Sequence, residues 1–180
     1  EIPLRLVGSE MCIRDRAREE LGLSRDKTVL LFPSASGHDR KGLPFILNCM
    51  KGLDNIEIAI AGKPVKTDNT AVVSIGYQNN MEKAYNAVDY SILASCYEPF
   101  GLVGIESILC GTPVILAKNI GCTEVISNDA CTTFSREDSE ELYHILASLP
   151  PPYRTSIKDL HYDLSVRHQA EMLLTLIDKV

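Results

Sequence analysis

Two carboxylates bracket the most informative stretch of the chain. In C-Y-E-P-F-G-L-V-G-I-E, residues 96–106, Glu98 and Glu106 stand on either side of a sharp Pro99–Gly101 turn. The apolar run after the turn has helical spacing, so Glu106 falls about five residues into a helix, or about 7–8 Å along its axis. The unpaired N–H groups of residues 100–103 point out of the helix N-terminus, where they can bind an anion. Carboxylates on either side can accept hydrogen bonds from hydroxyls. Amides for a phosphate set between acids for hydroxyls describe a site for a sugar nucleotide.

The elements that must hold this stretch are legible from apolar runs and breakers. Residues 28–34, 56–62, 71–77, 89–95, 112–117 and 130–135 are short, apolar and bounded by turn residues, as buried strands are. Between them, residues 43–53, 79–88, 102–110 and 135–149 carry helical spacing. Pro44 is tolerated in a first turn, Asn79 or Asn80 can cap, and Gly111 closes the third of these helices. Residues 17–27 read as a helix end broken at Gly22, residues 123–127 as a short helix, and the tail over 165–180 as a last helix. Strands alternating with helices predict a doubly wound parallel α/β sheet of about six strands. Ligands of such sheets sit at the carboxyl ends of the strands. The loops to inspect are therefore 34–42, 62–69, 76–79, 96–102 and 117–123.

Composition removes several classes of function. The chain has 180 residues, 45% of them apolar, with 24 acids against 18 bases for a net charge of −6. The sequence has no basic run and no tryptophan, and 6% of it is aromatic, which argues against nucleic acid as a partner. No apolar stretch reaches the length of a membrane span, and no signal-peptide pattern is present. The six cysteines form no C-x-x-C pair, as expected for reduced, mostly buried thiols of a cytosolic protein. Residues 5–16, R-L-V-G-S-E-M-C-I-R-D-R, match the conceptual translation of a transposon-based sequencing adapter. Residues 1–16 are therefore expected to lie outside the fold, which leaves residues 17–180 as one domain. Removing them takes away three acids and three bases and leaves the charge at −6.

The string from Glu98 to Ile115, E-P-F-G-L-V-G-I-E followed by G-T-P-V-I, closely resembles the nucleotide-binding half of family 4 retaining glycosyltransferases of the GT-B fold. The resemblance extends to R-x-x-L-G-L at 18–23, R-K-G at 40–42, A-G at 61–62, I-G-Y at 75–77 and T-E-V-I at 123–126. It implies a C-terminal, donor-binding domain whose N-terminal, acceptor-binding partner domain is missing. By position it implies that Glu98 contacts hydroxyls of the donor sugar and that Phe100, Gly101 and Leu102 offer amides to the diphosphate or sugar. Glu106 would bind the ribose, Lys41 would neutralise the leaving diphosphate, and Tyr77 would line the base pocket. The implied substrate is a nucleotide-diphosphate sugar and the implied reaction is hexose transfer, with retention, to a hydroxyl of a cell-surface glycan or glycolipid. No metal or other cofactor is implied. The implied location is cytoplasmic, with peripheral contact at the inner membrane face open for the full-length enzyme.

Two departures from the family pattern stand out. The arginine usual at the end of the first strand is replaced by P-S-A-S at 33–36, leaving Arg40 or the hydroxyls of Ser34 and Ser36 to bind phosphate. The usual double glycine before T-E-V-I reads N-I-G-C at 119–122. These departures keep a second class in view, a non-catalytic nucleotide- or glycan-binding module on the same fold. The remaining chemistry-bearing residues have plainer readings. His38 reads as an exposed loop histidine, and His144, His161 and His168 as structural. Cys96 and Cys110 read as packing residues, Glu124 as a weak site candidate, and the acids at 137–141 as a solvated helix start.

Overall fold

A computed structural model describes residues 4–35, 37–151 and 153–161, with side chains from Ile13 onward. Ser36, His168 and the helix expected over 165–180 lie outside the described residues. The elements, in order, are α1 (Leu4–Leu21), β1 (Thr28–Ser34), α2 (Leu43–Cys49), β2 (Ile56–Gly62), β3 (Val72–Gly76) and α3 (Met81–Ala87). They continue with β4 (Tyr90–Leu93), α4 (Leu102–Leu109), β5 (Val114–Ala117), β6 (Cys131–Phe134) and α5 (Ser139–Ala147). The strands form one parallel sheet in the order β3-β2-β1-β4-β5-β6. This is a doubly wound, Rossmann-like α/β fold. The short helix expected at 123–127 is instead a 3₁₀ turn over Gly121–Glu124.

Strand alternation builds two cores. Leu30 and Phe32 of β1 face one of them with Ile46 of α2 and Leu142 and Leu146 of α5. Val29 and Leu31 face the other with Ala17 of α1 and Ala84 and Tyr85 of α3. All four β1 side chains are fully buried, and each such residue contributes about 1.5–3 kcal/mol by leaving water. No described helix is long and apolar enough to cross a membrane.

Helix α1 runs without a break from Leu4 to Leu21. Arg14 lies 2.9 Å from Asp89 Oδ1. Close packing begins at Ala17 and Arg18, which are 5% and 1% exposed. Arg18 is the anchor. Its guanidinium donates to Asp89 Oδ2 at 2.6 Å and to the Ala87 carbonyl at 2.8 Å, and Asp89 Oδ2 also accepts from Val29 N. A buried carboxylate is tolerated because two donors on Oδ2 and the Arg14 charge beside Oδ1 compensate it. This clamp fixes α1 and the α3–β4 junction against β1.

Candidate functional site

The order of strands reverses between β1 and β4, where the loops that follow them diverge to opposite sides of the sheet. Pairing of β1 with β4 stops at Leu31, while β1 continues to Ser34. A crevice therefore opens at the carboxyl edge between these strands, the usual ligand position in such sheets. The β1–α2 loop brings Arg40 and Lys41 to it, and the β4–α4 loop brings Glu98 to Leu102.

Backbone contacts lace the two loops together. Ala94 N donates to the Lys41 carbonyl at 3.2 Å and Cys96 N to the Arg40 carbonyl at 2.9 Å. Lys41 Nζ donates to the Pro33 carbonyl at 3.2 Å and is half-buried among charges. Burial pushes its pKa down and Arg40 adds to that, while Glu98 and Glu106 pull it up, with a net fall below the ordinary lysine value. Glu98, Arg40 and Glu106 thus all lie near enough to act on the Lys41 charge. Arg40 is exposed and donates to the Tyr97 carbonyl at 3.3 Å.

The turn before α4 depends on glycine. Gly101 is the N-cap residue of α4, with φ +86 and no side chain capping the helix. A β-carbon there would meet Ile120 Cγ2 at 2.7 Å. Residues 98–101 are zipped to the next loop through Gly121 N to the Glu98 carbonyl and Cys122 N to the Phe100 carbonyl, at 3.4 and 2.6 Å. Gly121 is irreplaceable because its β-carbon would lie 2.1 Å from the Pro99 carbonyl oxygen. Cys122, at the end of the altered N-I-G-C stretch, is fully buried against Gly101 and Gly104 of α4. The uncapped α4 terminus, with Phe100 and Leu102 exposed beside it, can present amides and a partial positive charge to an anion.

Glu106 is exposed on α4 and accepts a hydrogen bond at 3.1 Å from the hydroxyl of Tyr85, which is buried in α3. Tyr85 was not foreseen from sequence, because an aromatic residue on an amphipathic helix reads as core. Tyr77 is 67% exposed, and its hydroxyl donates to the Ala35 carbonyl just beyond the end of β1. Arg136, also unmarked in the sequence, donates to the Ala94 carbonyl at 2.7 Å and lies over the Phe45 ring.

Several plainer expectations need correction. His38 is not a free loop histidine. Its Nε2 bonds the Lys63 carbonyl at 2.7 Å, so it carries the proton there, and its Nδ1 accepts from the Ser34 hydroxyl at 3.2 Å. This clasp joins the ends of β1 and β2 and forms one wall of a cleft of about 470 Å³ shared with Leu43, Leu47 and Pro64. Cys96 is exposed rather than packed, because it follows the strand end into the loop. Glu141 is not simply solvated. It accepts from Ser135 N and Lys118 Nζ, while Asp138 caps the helix. Glu124 and His144 are exposed.

Residues 27–149 match the family described as Glycosyl transferases group 1. The chain belongs to that family. A relative from Burkholderia thailandensis, named "Probable transglycosylase", is 40% identical over 213 aligned positions covering 93% of this chain and 59% of its own length. A crystal structure of Anabaena HepE with UDP and glucose superposes with a TM-score of 0.65 at 21% identity, over 75% of this chain and 41% of that one. WaaG, described as a glycosyltransferase involved in lipopolysaccharide biosynthesis, gives a TM-score of 0.64 at 20% identity, over 82% and 42%. These two likenesses are of fold. The chain spans 59% of the Burkholderia protein and about two-fifths of the solved chains.

Proposed function

We propose that residues 17–180 form the C-terminal, donor-binding domain of a retaining glycosyltransferase, with residues 1–16 an appendage of adapter origin. The donor is a nucleotide-diphosphate sugar, and the acceptor-binding domain lies N-terminal in the full-length enzyme. The observation that carries this reading is that the loop of Arg40 and Lys41 is hydrogen-bonded to the chain leading to Glu98, beside the uncapped terminus of the helix that carries Glu106.

The diphosphate lies between Lys41 and the amides of residues 100–102. Negative charge grows on it as the glycosidic bond breaks. A preformed cation and helix terminus stabilise that charge without reorganising. Arg40 stands in for the family's missing arginine, with Ser36 a further phosphate contact. Glu98 holds the hydroxyls of the hexose, Glu106 those of the ribose, and Tyr77 borders the base. Departing diphosphate and incoming acceptor hydroxyl share one face of the sugar, which gives retention. None of these steps calls on a metal. The family's products suggest a hydroxyl acceptor in a cell-surface glycan or glycolipid, reached from the cytoplasm.

The Anabaena structure with UDP bound supports a nucleoside diphosphate as the probe. UDP, GDP and ADP are titrated by calorimetry into the 180-residue chain, into Lys41→Ala and into Glu106→Ala. One diphosphate is expected to bind the parent chain and to bind each variant about 10- to 100-fold more weakly, the loss of one charged hydrogen bond. Absence of heat with all three would end the proposal.

A further inference from the structure

Among the described residues the Tyr85 hydroxyl has one partner, Glu106, a proposed ligand of the nucleotide. We propose that Tyr85 is the positioning residue for Glu106, holding its carboxylate for a vicinal diol and so setting the preference for a ribonucleotide over a deoxyribonucleotide. The inference rests on the reading of Glu106 as the ribose contact.

Tyr85 is 1% exposed, and its hydroxyl reaches out of the α1–α3 core to Glu106 Oε2 at 3.1 Å. Burial first, and then the neighbouring carboxylate, raises the phenol well above its ordinary pKa. It stays protonated and remains a donor throughout the neutral range. A phenol occupies one lone pair of a carboxylate and leaves the others for a ligand. Among the described residues Glu106 Oε1 has no hydrogen-bond partner.

The frame around the pair is fixed on both sides. Thr112 Oγ1 donates to the Tyr85 carbonyl at 2.8 Å. Ser107, next to Glu106, donates to the Thr112 carbonyl at 2.9 Å and accepts from the Ser91 hydroxyl at 2.8 Å. These buried bonds tie α3 and α4 to β4 and to the approach to β5. Without the phenol, Glu106 would be an exposed side chain with three free torsions, and a diol would have to order it on binding. Two adjacent hydroxyls are recognised well only when the acceptor oxygens are already placed. A ring alone would satisfy the core, so the hydroxyl serves Glu106.

The test compares UDP, GDP and ADP with their 2′,3′-dideoxy analogues by calorimetry on the 180-residue chain, Tyr85→Phe, Glu106→Ala and the double variant. Tyr85→Phe is expected to weaken the ribonucleotide about tenfold and to leave the dideoxy analogue unchanged, so the discrimination ratio falls. In the Glu106→Ala background the second substitution should change nothing. If Tyr85→Phe proves unfolded by circular dichroism, Glu106→Asp replaces it. That variant keeps the charge but draws it a methylene away from Tyr85, and the same fall in ratio is expected. A ratio that survives Tyr85→Phe or its replacement but collapses in Glu106→Ala overturns the positioning role and leaves the ribose reading standing. A ratio unmoved by Glu106→Ala, or no binding of any diphosphate, overturns both.

Discussion

Gly42 and Ala94 touch backbone to backbone where the two loops of the crevice meet. A β-carbon on Gly42 would lie 2.1 Å from the Ala94 carbonyl oxygen, and its φ is +82. The carbonyls of Arg40 and Lys41, just before it, accept from the chain leaving β4. The glycine of the R-K-G loop thus sets how closely the cations approach Glu98.

Gly42→Ala is expected to cost more than about 2 kcal/mol, since the left-handed conformation alone costs about 1–2 and a backbone clash is added. Gly52 makes the control. Its φ is +85, but nothing lies within 4 Å of the added β-carbon, so Gly52→Ala should show the conformational cost alone. Urea denaturation of the two variants reads the difference. Equal midpoints would mean that the close approach has no energetic weight.

Cys122 and Gly104 are matched in size. A β-carbon on Gly104 would meet Cys122 Sγ at 2.6 Å. Gly104 lies within α4, where alanine would ordinarily stabilise by about 0.5–1 kcal/mol. Gly104→Ala is instead expected to destabilise by about 1–3 kcal/mol through overpacking. In a Cys122→Gly background the same change should be neutral or favourable. A double-mutant cycle with coupling under about 0.5 kcal/mol would show that the sulfur moves aside freely.

This pair also marks where sequence stops being sufficient. Strands β1 and β2 are legible to the residue, because unbroken apolar runs such as T-V-L-L-F-P-S end at turn formers. Glu98, Lys41 and Glu106 stand out because charges next to glycine-rich turns interrupt that pattern. Tyr85, Arg136 and the His38 clasp do not stand out. Their partners are a side chain 21 residues away and backbone carbonyls 42 and 25 residues away. Nothing in the identity of a tyrosine or histidine indicates which carbonyl or carboxylate the fold will bring to it. The burial of Cys122 likewise depends on Gly101 and Gly104, which lie about 20 residues before it.

Lys41 ties the site to pH. Its pKa in the fold lies below the ordinary lysine value, chiefly through burial. Between the folded and unfolded pKa values the unfolded chain holds the extra proton, so stability rises with pH across that window. Lys41→Met should flatten this slope and raise Tm slightly at neutral pH. Diphosphate binding has the opposite sign. An anion favours the charged lysine, so affinity falls as pH rises through the depressed pKa. Calorimetry from neutral pH up to the ordinary lysine value of 10.5 should show this fall in the parent chain and lose it in Lys41→Met. A parent affinity flat across that range would remove Lys41 from the diphosphate contact.

Thiol chemistry offers an independent view of the same crevice. Cys96 is exposed and sits two residues before Glu98, with its amide on the Arg40 carbonyl. Cys122 and Cys131 are buried, and burial pushes their thiols up to about 11 and about 12. Alkylation proceeds through the thiolate and needs access. At pH 8 iodoacetamide should therefore modify Cys96 first and leave Cys122 and Cys131 intact until the chain unfolds. A nucleoside diphosphate seated between Lys41 and α4 covers the 96–102 loop, so it should slow labelling of Cys96 but not of Cys110, at the far end of α4. Peptide mapping over a time course reads each site separately. Early modification of Cys122 would contradict the packing of that loop, and undiminished labelling of Cys96 under saturating ligand would place the ligand elsewhere.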